Sequence, residues 1–356
     1  MAEHSMKRTH WLHQARKLAG GVLPVLMAMP CSDASEVSAA SADTAAVCAR
    51  QQGGATLRHP HLRADDTLGV LLNHPAFRGF SQRILPWDGR TYDESMPLSD
   101  IGNLLPYHSH VSPAVVVGAL NRMVDDANTG RTVFYDFHSA VEKHIDPALE
   151  HTGLLFFRGK PGAPFAIIAP GGGFAYVGSV HEGFPYAEEI IKQGLNAFVL
   201  KYRAGQGGRV ATEDLAAAVA YIFHNASALQ VSTAGYSLWG SSAGARMAAA
   251  IGSHGIAAFG GQPAPKPSVV VMAYTGHSEV TASEPPTFAV VGDLDGIAPP
   301  AAMEARVAAL RRNGTPVEYR KYPNLGHGFG TGQGTSAQGW IGEAIQFWQK
   351  ETREQP

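Results

Sequence analysis

Residues 236–244 read YSLWGSSAG, and residues 245–252 continue ARMAAAIG. Tyr236–Trp239 is a short apolar run of the kind expected in a strand covered on both faces. The small residues after Gly244 suit a helix that packs close to a sheet. Between the two, Gly240 and Gly244 bracket Ser242 in a G-x-S-x-G pattern that only Ser242 can centre. A serine on a sharp strand-to-helix turn needs glycines at those flanks, because larger side chains would collide there. The same turn puts the serine at a helix N-terminus, where the positive dipole end favours a developing anion. Ser242 is therefore the candidate nucleophile, and Ser241 is expected to point elsewhere.

Outward from this turn, strand-like runs occur at Thr132–Phe137, Leu154–Phe157, Phe165–Ala169, Ala197–Leu200, Ser268–Ala273, Thr287–Val291 and Val317–Tyr322. Helical patterns fall between the later ones. Thr212 reads as a cap, with Glu213 and Asp214 in the first turn and Leu215, Ala218, Val219, Ile222 and Phe223 on one apolar face. Ile341, Ala344, Ile345 and Trp348 repeat that spacing near the end. The alternation predicts an α/β fold, a doubly wound and mostly parallel eight-stranded sheet.

Loops after the strands carry the remaining candidates. The run FAIIA leads into Pro170-Gly171-Gly172-Gly173-Phe174. Three glycines after a strand leave backbone N–H groups unshielded, and a tetrahedral intermediate needs two such donors. Gly172, Gly173 and Ala243 are the candidates for that oxyanion hole. The glycine spacing fits neither phosphate-binding pattern, G-x-x-x-x-G-K-[ST] or G-x-G-x-x-G. Later, GDLDG offers Asp293 or Asp295 as an acid, and NLGHGF offers His327 as a base. Asp295 is favoured because it lies further from the strand end. The order Ser, Asp, His is one that serine hydrolases use. His277 is a rival base, or a pocket residue. Phe174 and Tyr176 follow the glycine loop and are expected to crowd the acyl side. His108 and His110 lack a third ligand at metal-binding spacing and are read as loop residues.

Together these segments resemble the α/β-hydrolase superfamily, in particular its carboxylesterase branch. PGGGF is similar to that branch's H-G-G-G loop, with Pro170 where histidine is usual. LKYRAG, from Leu200 to Gly205, is similar to its V-x-Y-R segment, and GSSAG matches its nucleophile turn. GDLDGIAPP resembles its acid loop, which implies Asp295 as the third triad member. PGGGF also resembles acetyl-ester hydrolases that act on plant polysaccharides. The resemblance covers roughly residues 130–350 and implies an α/β-hydrolase catalytic domain over 131–356.

Composition narrows the partners. The 28 Lys and Arg nearly balance the 30 Asp and Glu, so no charge excess suggests nucleic acid or an anionic membrane. At the start, basic residues precede an apolar run, Leu18–Met29, and the small residues of SAASA. That layout predicts a secretory signal over 1–40 and an exported protein, and the run is too short for a stable membrane anchor. Cys31 invites a lipoprotein reading, which Met29-Pro30 fits poorly. Cys48 is the only other cysteine, so no disulfide framework or Cys-based metal site is expected. Residues 41–60 read as a linker and 61–130 as an N-terminal extension that can cap the site. Within it, Ser112 and Pro113 start a helix with Val116, Val117, Leu120, Met123 and Val124 as its buried face.

The combined expectation is a serine hydrolase of carboxylic esters, with short acyl groups such as acetyl on a small or carbohydrate alcohol. It needs no metal and no organic cofactor. The alternatives are a serine peptidase of the same fold cutting short peptides, and a non-catalytic binding module.

Overall fold

The computed structural model describes residues 58–354. The readings of a signal over 1–40, of Cys31 and Cys48, and of the linker up to residue 57 lie outside the described residues. All the described residues belong to one compact unit, 55–356.

Eight strands form one sheet: β1 (Phe134–Tyr135), β2 (Gly153–Phe157), β3 (Pro164–Ala169), β4 (Asn196–Lys201), β5 (Ser232–Ser241), β6 (Val269–Ala273), β7 (Thr287–Gly292) and β8 (Val317–Tyr322). Their order is β1-β2-β4-β3-β5-β6-β7-β8. The β1–β2 and β2–β4 pairs are antiparallel, and the rest are parallel. The helices are α1 (Leu68–Leu72), α2 (Ser81–Ile84), α3 (Pro113–Asn128), α4 (Ala140–Ile145) and α5 (Phe184–Lys192). They continue with α6 (Gly207–His224), α7 (Ala226–Leu229), α8 (Ala243–His254), α9 (Pro300–Arg312) and α10 (Trp340–Glu354).

Every residue of β2, β4, β6 and β7 is buried, as continuous apolar runs require. Alternate side chains feed two cores. Ile168, Trp239 and Val271 face the side holding α3, α5 and α10. Ile167, Leu238 and Val270 face the side holding α6, α8 and α9. The sheet is therefore doubly wound, as the apolar runs predict.

Two local readings change. The Thr132–Phe137 run shrinks to the edge pair Phe134–Tyr135, because Asp136 turns out to Lys143 of α4. Thr212 does not cap its helix. The helix starts at Gly207, and the Thr212 hydroxyl donates back to Gly208 O at 2.7 Å. Asp214 is consequently buried, not at a helix end, and holds Arg203 of the LKYRAG segment through Nη2 (2.7 Å) and Nε (3.0 Å). By contrast α3 matches its sequence reading. The Ser112 hydroxyl accepts from Val115 N–H and all five named apolar residues are buried.

The extension packs into the main core. Leu68, Leu71, Phe77, Ile84 and Leu105 share one core with Phe184, Tyr186 and Ile190 of α5. Lys201 at the end of β4 fastens it further: its buried ammonium donates to Leu85 O (3.2 Å) and Pro86 O (3.1 Å) and pairs with Asp88 (2.9 Å). Burying that apolar surface contributes more than a lid folded over solvent could, since burial is worth roughly 1.5–3 kcal/mol per large aliphatic side chain. Two stretches of the extension reach the loops described next: Pro86–Trp87, whose Pro86 O accepts from Val177 N–H (3.0 Å), and residues 107–109.

Candidate active site

Ser242 stands between β5 and α8 with φ 51° and ψ −114°, a left-handed backbone that costs a non-glycine residue about 1–3 kcal/mol. The flanking glycines make the turn possible. A Cβ on Gly240 would lie 2.3 Å from the backbone of Gly244, and one on Gly244 would lie 1.8 Å from Ala169 O. Ser241 is fully buried and its hydroxyl donates to Tyr186 Oη at 3.1 Å, away from its neighbour's role.

Three side chains from separate loops meet. His327 Nε2 lies 3.0 Å from Ser242 Oγ, and His327 Nδ1 lies 2.7 Å from Asp295 Oδ2. Asp295 Oδ1 accepts from Ile297 N–H (2.9 Å) and Ala298 N–H (2.7 Å), which leaves Oδ2 for the imidazole. A carboxylate there keeps the proton on Nδ1 and the Nε2 lone pair towards the serine. Asp293 is exposed and accepts only a long bond from Leu325 N–H, 3.4 Å. The geometry therefore brings Asp295, not Asp293, to the histidine.

The glycine loop presents free amides. Gly171 N–H is occupied, donating to Glu182 Oε2 at 2.5 Å. Gly172 and Gly173 N–H have no partner among the described residues, and both glycines have positive φ (132° and 64°). Their directions are set from the opposite side. Gly171 O accepts from Gly178 N–H (2.9 Å), and Gly172 O accepts from Ala175 N–H (3.0 Å) and Tyr176 N–H (3.2 Å). In a trans peptide the N–H points opposite to the C=O. The Gly172 and Gly173 amides are thus turned away from those partners. The loop abuts Ser242, since a Cβ on Gly171 would fall 3.0 Å from Ser242 Cβ. Ala243 N–H, at the first position of α8, has no intrahelical acceptor.

The pocket candidates divide. Phe174 is half-buried, with its ring against Tyr202 (6.4 Å) and close to Gly208. Tyr176 does not line open space, contrary to the sequence reading. It is fully buried between Trp87 and Tyr107, and its hydroxyl meets His108 Nδ1 at 2.8 Å. His277 makes no hydrogen bond to the serine or the aspartate. It is buried, four residues past the end of β6, with Nε2 unpartnered, and burial with Arg306 next pushes its pKa down to about 4. His108 lies in the same buried cluster as Tyr176, its Nε2 facing Glu182 Oε1 at 3.0 Å. Among the described residues no group of three His, Cys, Asp or Glu is placed to hold a metal, and no helix is long and apolar enough to cross a membrane.

Sequence reasoning missed Glu182, Tyr274, Tyr186 and Ser109, which surround these loops. One signal was available. In FAYVGSVHEGFPYA, residues 174–187, His181-Glu182 is the sole ionisable pair in an apolar run. Burial works to raise the Glu182 carboxyl, but His108, His181 and Tyr274 outweigh it and hold it down at about 2.

Two family models match parts of the chain: the prolyl oligopeptidase family over residues 257–355, and BD-FAE over residues 158–262. Comparison with curated proteins finds no significant match. Solved structures resemble it. MGS-M1, an α/β-hydrolase enzyme from a Medee basin deep-sea metagenome library, is 21% identical with a TM-score of 0.51, over 57% of this chain and 93% of its own. The acetyl ester-xyloside bifunctional hydrolase of Caldicellulosiruptor lactoaceticus is 20% identical with a TM-score of 0.51, over 56% and 88%. The carboxylesterase Cest-2923 of Lactobacillus plantarum WCFS1 is 19% identical with a TM-score of 0.50, over 56% and 92%. The chain has the α/β-hydrolase fold and resembles carboxylesterases.

Proposed function

We propose that this α/β-hydrolase-fold protein is a serine esterase acting through Ser242, His327 and Asp295. The observation that carries the reading is the continuous contact from Asp295 through His327 to Ser242 Oγ, beside amides with no partner. His327 Nε2 takes the Ser242 proton as Oγ attacks the ester carbonyl. The carbonyl oxygen becomes an oxyanion, which the Gly172, Gly173 and Ala243 amides receive. His327 then returns the proton to the leaving alcohol, and an acyl-serine remains. Water, deprotonated by the same histidine, attacks that ester, and the acid leaves with Ser242 restored.

Short acyl groups, acetyl above all, are the proposed substrates. A small or sugar alcohol is the proposed leaving group. Tyr107 packs against Gly173 and Phe174 follows it, which narrows the space beside the amides. A fluorophosphonate that labels wild type but not Ser242→Ala tests the nucleophile, and equal labelling of both rules it out. A p-nitrophenyl ester series should show rates falling beyond acetyl and propionyl. Undiminished rates on long chains would remove the acyl preference.

The prolyl oligopeptidase match over 257–355 favours a second reading, cleavage of short peptides. Turnover of aminoacyl p-nitroanilides without turnover of esters would establish it over the first. Export is proposed from the basic start and apolar run of residues 1–29. The N-terminal sequence of the mature protein in the extracytoplasmic fraction tests it.

A further inference from the structure

A fully buried carboxylate is expensive unless every lone pair is used. Glu182 is fully buried, the reaction above does not employ it, and it lies directly behind the glycine loop. Its oxygens collect donors from three distant segments. Oε2 takes Gly171 N–H (2.5 Å). Oε1 takes the Tyr274 hydroxyl (2.7 Å) from the end of β6, and His108 Nε2 (3.0 Å) from the N-terminal extension. The His108 ring is itself held, because Nδ1 meets Tyr176 Oη and that oxygen accepts Tyr107 N–H (3.1 Å). The next residue closes the circuit. Ser109 Oγ donates to His327 O (2.8 Å), and Ser109 N–H donates to Gly328 O (2.9 Å). Tyr274 also sets its ring edge-on to His327, 5.1 Å between centroids.

We infer that Glu182 and His108 are positioning residues that hold the oxyanion loop and the His327 loop in mutual register. Gly171 is pinned at both ends, its N–H on Glu182 and its C=O on Gly178 N–H. That fixes the peptide plane whose N–H belongs to Gly172. Without the carboxylate, Gly171 N–H would be buried and unpaired, and rotation of the loop backbone would relieve it by turning the amides off the oxyanion. The oxyanion is present in the tetrahedral intermediate and its flanking transition states but not in the bound ester, so the loss falls on kcat and spares KM. The N-terminal extension is on this view part of the active site.

The inference rests on Ser242 being the nucleophile, and the test separates the two. Wild type, Glu182→Leu, Glu182→Gln, His108→Leu and Asp214→Asn are assayed on p-nitrophenyl acetate and with a boronic acid that forms a tetrahedral adduct on Ser242. Glu182→Leu should lose ~100-fold in kcat, the scale of one oxyanion donor, with KM within threefold. Boronate affinity should fall in step. Glu182→Gln should recover most of the loss, since its amide oxygen can still accept Gly171 N–H. His108→Leu should lose about tenfold. Asp214→Asn, which weakens the remote Arg203 pair, should lower Tm and leave kcat alone. A folded Glu182→Leu with kcat within threefold of wild type overturns the inference, as does a kcat loss with unchanged boronate affinity. Should Glu182→Leu fail to fold, His108→Leu decides, and a loss under threefold overturns it. A wild type that neither turns over esters nor reacts with fluorophosphonate refutes the esterase reading instead.

Discussion

Replacing Asp295 by Asn gives the sharpest test of the proposed chemistry. The carboxylate accepts three N–H groups: Ile297 and Ala298 on Oδ1, and His327 Nδ1 on Oδ2. An asparagine has one accepting oxygen. If that oxygen keeps the two backbone donors, the NH2 faces His327 Nδ1 and forces the proton onto Nε2. The imidazole then offers an N–H to Ser242 Oγ, 3.0 Å away, where a lone pair is required. The reverse orientation would oppose the NH2 to two backbone N–H groups, leaving both unpaired at about 1–3 kcal/mol each. The wrong tautomer therefore wins. Trapping that tautomer in a Ser-His-Asp protease lowers kcat ~10⁴-fold, equivalent to about 5 kcal/mol of barrier. The same loss is expected here for p-nitrophenyl acetate hydrolysis, with a fold and Tm close to wild type. Asp293→Asn, in the same loop but exposed, should keep at least half of kcat. An Asp295→Asn enzyme within tenfold of wild type, or an Asp293→Asn enzyme that fails, would refute the assignment.

Other perturbations have definite signs. Ser241→Ala removes a hydroxyl bonded to Tyr186 and should cost about 1 kcal/mol in urea unfolding while kcat stays within threefold; a large kcat loss would mean the wrong serine has been chosen. Gly244→Ala puts a Cβ 1.8 Å from the Ala169 carbonyl, so it should exceed the ~1–3 kcal/mol of ordinary overpacking and yield little soluble protein; normal yield and stability would contradict the turn geometry. Burial, with His108 next, pushes the His181 imidazole down to about 4, against about 6.5 unfolded. The unfolded chain then binds the extra proton, so this stability is complete above about pH 6.5 and is lost as pH falls towards 4, by at most about 3 kcal/mol. Urea titrations from pH 7.5 to 4 should show that slope, and His181→Asn should flatten it; an identical slope in the variant would discount His181.

Much of this site was legible because its parts are local. The strand, the glycine-bracketed serine and the small-residue helix occupy 17 consecutive residues, 236–252. Steric exclusion at Gly240 and Gly244 acts between near neighbours or adjacent strands, so the pattern itself reports it. Ser112-Pro113 likewise marked a helix start through its own backbone. Thr212 misled because a threonine inside a helix looks like one that caps it. Only the earlier start at Gly207, imposed by packing and by the Arg203–Asp214 pair, tells them apart. Tyr176 misled because sequence adjacency to the glycine loop does not say which way a ring turns.

Apolar runs and glycine placement, both local features, therefore let the sequence alone mark the sheet, the turn at Ser242, the glycine loop and the candidate base. Tertiary structure decided what depends on distant partners. Asp293 and Asp295 are two residues apart; the sequence favours Asp295, but the contact itself depends on where His327, 32 residues beyond Asp295, comes to rest. Glu182 acquires its meaning from donors at Gly171, 11 residues away, Tyr274, 92 residues away, and His108 in a segment that carried no motif. Pairings of that kind leave no local pattern, because the carboxylate's stability depends on donors that only the folded chain assembles.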